Sequence, residues 1–87
     1  MKILVVDDND DSLHSLCLVL RDLGHQTVST TNPELALQEA GENVDPLIIS
    51  DIRMPGLNGL ELLERIKGNP ATAASEVLLI TGYADLE

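Results

Sequence analysis

Apolar positions along this chain fall into two patterns that alternate. Three short runs with few polar interruptions (Ile3-Leu4-Val5-Val6, Pro46 to Ser50, and Val77-Leu78-Leu79-Ile80) read as strands, and the more polar His25 to Ser29 reads as a further short one, second in chain order. Between them, apolar residues recur every three or four positions. Leu13, Leu16, Cys17, Leu20 and Leu23 share one face of a helix from about Asn9 to Leu23, with acids in its first turn and Gly24 as its stop. Asn32-Pro33 supplies a cap and a first position for a second helix ending near Gly41. Asn58 followed by Glu61 forms a capping box for a third helix, whose apolar face includes Leu62, Leu63 and Ile66. Met54-Pro55-Gly56 punctuates a loop, and Gly68 to Glu76 reads as a longer one. The order βαβαβαβ predicts a parallel α/β sheet with right-handed crossovers. The run from Pro46 to Ser50 lacks polar alternation, as expected of a strand covered on both faces.

Three of these strands end in polar groups: Asp7-Asp8 after the first, Asp51 after the third, Thr81-Gly82 after the fourth. Parallel neighbours would gather them at one sheet edge, where open α/β sheets bind ligands. Two carboxylates about 4 Å apart repel by roughly 4 kcal/mol at an effective dielectric near 20. Such a cluster needs a cation, or one member must take up a proton. Mg²⁺ suits it, because it binds few carboxylates, keeps several waters and bridges to phosphate. One carboxylate then remains as a nucleophile, and Thr81 is placed to donate to a phosphoryl oxygen.

Composition narrows the partners. The 87 residues suit one small domain, and 15 acids against 5 bases give a net charge of −10. That balance argues against nucleic acid or anionic membrane as a direct partner and favours a basic partner or a metal ion. The lone Cys17 excludes an intramolecular disulfide, falls on the apolar stripe and reads as core; no Cys/His spacing suggests zinc. Strand residues begin at position 3, leaving no room for a signal peptide, and no apolar run reaches membrane-spanning length, so the expectation is a cytoplasmic protein. His14 reads as a solvated flank of the first helix, and His25 opens the second strand with no partner visible in the sequence.

The stretches Ile3 to Asn9, Ile49 to Leu63 (Ile-Ser-Asp-Ile-Arg-Met-Pro-Gly-Leu-Asn-Gly-Leu-Glu-Leu-Leu) and Leu79 to Asp85 resemble the receiver domain of two-component response regulators. The last stretch is similar to the nitrogen-regulation and nitrogen-fixation branches, whose receivers commonly control transcription. The resemblance implies a flavodoxin-like three-layer fold with strand order 2-1-3-4. It implies Asp51 as phosphoacceptor from a histidine kinase or phosphotransfer protein, for signalling to an output domain or effector rather than turnover of a free substrate. Mg²⁺ would be held by Asp7, Asp8, Asp51 and the Arg53 backbone carbonyl. Thr81 would be the switch hydroxyl, and Arg53 and Tyr83 would tune the lifetime of the phosphoryl group.

The family continues through a fourth helix, a fifth strand carrying a lysine at its end, and a fifth helix, so residues 1–87 correspond to the N-terminal portion of the domain. Neither Lys2, at the far end of the first strand, nor Lys67, at the end of the third helix, replaces that lysine. Without the later elements the fourth strand is expected to be an apolar edge prone to self-association. Uncovered apolar surface is expected beside the Leu13, Leu16 and Leu20 face, leaving the fold marginal. A second resemblance is to haloacid-dehalogenase-type phosphatases, in which Asp8 of Asp8-Asn9-Asp10 would be the nucleophile. A third reading is a non-phosphorylated dimerisation fragment.

Overall fold

The structure, a computed structural model, describes residues 1–42, 47–54 and 56–80. Its elements are β1 (Lys2–Val6), α1 (Asp10–Asp22), β2 (Gln26–Thr30), α2 (Pro33–Glu42), β3 (Leu47–Asp51), α3 (Gly59–Gly68) and β4 (Glu76–Ile80). All strand pairs are parallel, and the order across the sheet is β2-β1-β3-β4. Every element follows the sequence pattern to within a residue or two. Pro46, expected to open β3, lies outside the described residues.

Local chemistry sets the helix ends. Asn9 caps α1 by accepting from the Ser12 N–H at 3.0 Å. At the other end Gly24 takes a positive φ of 95°, while the Gly24 and His25 N–H groups donate to the Arg21 and Leu20 carbonyls at 2.9 and 3.1 Å. This is a Schellman closure, and it starts β2 one residue later than expected because His25 is spent on closing the helix. His25 does have a partner: its Nδ1 lies 3.1 Å from the Met1 amino group. Asn32 accepts from the Glu34 N–H at 2.9 Å, and both halves of the Asn58–Glu61 capping box are present.

The sheet is covered on both faces. On one, Leu4, Val6 and Ile48 pack against Ala36 and Ala40 of α2 and Leu62 and Ile66 of α3. On the other, among the described residues, Ile3, Val5 and Ile49 pack against Leu13 and Cys17 of α1. Cys17 is therefore core, and His14 is exposed. Leu16 and Leu20 are half-buried; among the described residues the exposed large apolar side chains include Leu18 and Val19 of α1 and Leu23 at its end, as well as Leu78 (53% exposed) and Ile80 (40%) of β4.

The connection from α3 to β4 is an ordered plug instead of an open loop. Asn69 Oδ1 accepts from the Ala71 N–H at 3.0 Å, and the buried Thr72 hydroxyl donates to the Ile66 carbonyl at 2.7 Å. Lys67 Nζ reaches the Ala73 and Ser75 carbonyls at 3.1 and 2.6 Å. Lys67 thus serves the pole opposite the strand-end acids, as its place at the end of α3 implied.

Candidate functional site at the carboxyl edge of the sheet

Parallel pairing brings the strand ends together. In register, Val6 lies beside Ser50 and Asp51 beside Ile80, so Asp7, Asp8 and Asp51 share one edge. One oxygen from each of these three carboxylates lies within 4.8 Å of the others. Two of the side chains are held by the backbone that follows them. Asp7 Oδ1 accepts from the Asn9 N–H at 2.9 Å, and Asp51 Oδ1 accepts from the Arg53 N–H at 3.3 Å. Asp8 is exposed, whereas Asp7 and Asp51 are half-buried.

Asp10 stands apart from this group. It is an exposed residue in the first turn of α1, where its charge favours the helix dipole. The Asp8-Asn9-Asp10 reading needs two cooperating acids, and the fold gives Asp8 the company of Asp7 and Asp51 instead.

An open cleft of about 390 Å³ adjoins the acids, lined by Asp8, Ile52, Arg53, Met54 and Asn58. Thr81 and Tyr83 lie outside the described residues. The oxygen-only donor set suits a hard divalent cation and not the nitrogen and sulfur preferences of zinc.

The electrostatics agree with that donor set. The Asp7 carboxyl is raised above its ordinary value of 3.8, first by burial, then by the charges of Asp51 and Asp8, against the lowering effect of the Asn9 N–H. A raised carboxyl holds its proton in the folded chain over a pH range in which the unfolded chain has lost it. Metal-free stability should therefore fall as pH climbs from 3.8 through the raised value. Asp7→Asn should remove that loss. Thermal unfolding in chelator is expected to show the variant gaining on the wild type between acidic and neutral pH; a constant difference would contradict it.

Comparison with known proteins accords with this geometry. A family model described as the response regulator receiver domain matches residues 3–87. A solved response regulator receiver domain protein from Clostridium thermocellum superposes with a TM-score of 0.87 at 31% identity, covering 98% of this chain and 68% of that one. The transcriptional regulatory protein FixJ of Azorhizobium caulinodans is 36% identical over 83 residues, 94% of this chain and 38% of its own length. Protein PilH of Pseudomonas aeruginosa is 30% identical over 80 residues, 92% of this chain and 66% of its own. Two further curated relatives are spanned over 11% and 64% of their lengths. With four parallel strands in the order 2-1-3-4 and a matching family model along nearly its whole length, the chain belongs to the response regulator receiver domain family.

Proposed function

We propose that the chain is a phosphoacceptor module of two-component signalling, in which Asp51 takes a phosphoryl group from a histidine kinase or phosphotransfer protein and passes the signal to an output domain or effector. The convergence of Asp7, Asp8 and Asp51 beside an open cleft carries this reading. Asp51 Oδ1 is occupied by the Arg53 N–H, which leaves the second oxygen as the attacking atom. That oxygen forms a bond to phosphorus as the bond from phosphorus to the donor imidazole, protonated on its other nitrogen, breaks and its electron pair returns to the ring, giving an acyl phosphate and a neutral histidine. Asp7 and Asp8, with Asp51 and the Arg53 carbonyl, would hold Mg²⁺. When bound, the ion neutralises the carboxylates and the incoming phosphoryl oxygens. Thr81 is assigned as the switch hydroxyl, and Arg53 and Tyr83 as residues that tune phosphoryl lifetime. A cytoplasmic location suits such a partner set, and among the described residues no helix is long and apolar enough to cross a membrane.

Beryllofluoride trapping with Mg²⁺, and phosphoryl labelling followed by peptide mapping, test the assignment. Modification is expected at Asp51; modification at Asp8 would sink it in favour of the phosphatase-like reading.

Self-association along β4 is part of the same proposal. No strand pairs with the outer side of β4 among the described residues, and its Leu78 and Ile80 are open to solvent. Leu78→Lys is expected to shift sedimentation from dimer toward monomer, and a wild type that is monomeric at high concentration would refute the idea.

A further inference from the structure

Gly59 opens α3, yet its φ is not among the positive values, so backbone freedom is not what position 59 demands. Space is. A Cβ there would stand 2.9 Å from Ile52 Cα and 3.1 Å from the Asp51 carbonyl carbon, and closer still to the Asp51 carbonyl oxygen. Those neighbours are main chain, which cannot swing aside as a side-chain tip can. By contrast, a Cβ at Gly68, the last residue of the same helix, meets nothing within 4 Å. The close approach is bonded as well as steric: the Gly59 N–H donates to the Ile52 carbonyl at 2.8 Å.

Both sides of this contact are anchored. The start of α3 is fixed by the capping box and by the buried Leu62 and Ile66. The end of β3 is held between β1 and β4, with the Ile52 N–H donating to the Ile80 carbonyl at 3.0 Å. A change at position 59 therefore has no loose element to absorb it and falls on Asp51 or on the cleft wall at Asn58.

We propose that Gly59, with Asn58 as the cap that holds it, is the positioning residue for Asp51, seating the start of α3 directly on the Asp51–Ile52 backbone and so setting where the reactive carboxylate stands. The inference rests on the phosphoacceptor reading of Asp51 and deepens it. Gly59 and Asn58 act through the backbone and do not enter the chemistry.

The test compares wild type, Gly59→Ala, Asn58→Ala and Gly68→Ala. The rate of Asp51 labelling by phosphoramidate is measured at saturating Mg²⁺, at a temperature where circular dichroism shows each protein folded. Misplacement of a reacting group by about 1 Å costs about a hundredfold. A loss of that order is expected for Gly59→Ala, a smaller loss for Asn58→Ala and none for Gly68→Ala. A stability defect alone would leave the folded protein's saturated rate intact. Folded Gly59→Ala labelled at the wild-type rate overturns the inference; should that variant not fold, Asn58→Ala at the wild-type rate overturns it equally. A wild type that is not labelled overturns the phosphoacceptor reading instead. The positional claim is then decided by Mg²⁺ affinity, read from the Asp7 and Asp8 amides by NMR, which Gly59→Ala must weaken and Gly68→Ala must not.

Discussion

Asp51→Asn is expected to abolish phosphoryl labelling of the chain while leaving it folded, and in the absence of metal to make it more stable. The amide that replaces the carboxylate keeps an oxygen to accept the Arg53 N–H, so the β3 end retains its local hydrogen bond. It loses the negative charge that makes the second oxygen a nucleophile, and no smaller effect than complete loss follows. The same change relieves repulsion. Like charges about 4 Å apart cost roughly 4 kcal/mol at an effective dielectric near 20, and solvent at this half-open rim reduces the measurable part to about 1 kcal/mol. For a domain of this size that corresponds to a Tm rise of about 4–8 °C. Intact-mass detection of the phosphoryl adduct and thermal unfolding in chelator check both halves. Asp8→Asn supplies the contrast: labelling slows as cation binding weakens, but the adduct still maps to Asp51. Retained labelling in Asp51→Asn, with loss in Asp8→Asn, would make Asp8 the nucleophile.

The second large effect is structural. Leu62→Ala is expected to cost about 2–5 kcal/mol, the range for emptying a fully enclosed leucine site. Leu62 is 0% exposed and joins α3 to Leu4, Val6 and Ile48 in the larger of the two apolar clusters. Typical total stability is about 5–15 kcal/mol, so a loss of this size takes a large share of it. The variant should therefore populate unfolded chain measurably at 25 °C. Leu60→Ala, on the outer side of the same helix and 51% exposed, should change stability by less than about 0.5 kcal/mol. Denaturant titration of the two variants checks the pair, and equal losses would mean that α3 is not docked as described.

What can be read from the residues in order is whatever depends on near neighbours. Gly24 after Leu23, Asn32 before Pro33, and Asn58 before Glu61 each act within one helical turn, so their sequence signals are complete in themselves. The alternation of buried runs with 3.6-residue stripes likewise fixes parallel β/α layers and puts Asp7, Asp8 and Asp51 at strand ends. Asn69-Pro70 carries a turn signal too, but it does not announce an ordered plug. Thr72 and Lys67 complete that plug through contacts to carbonyls six and eight residues away, beyond the reach of a local pattern.

Distances between residues far apart in the chain were decided only by the tertiary structure. Asp10 resembles Asp8 in sequence, but the start of α1 carries it away from the cluster, while register across β1 and β3 brings Asp51 in. Position 59 reads as an ordinary helix start after a capping box; that a Cβ there would collide with Asp51 and Ile52 follows from how α3 docks on the end of β3. The open face of β4 has the same origin. Leu78 and Ile80 are as apolar as the residues of the buried strands, and they differ in that no helix among the described residues covers them.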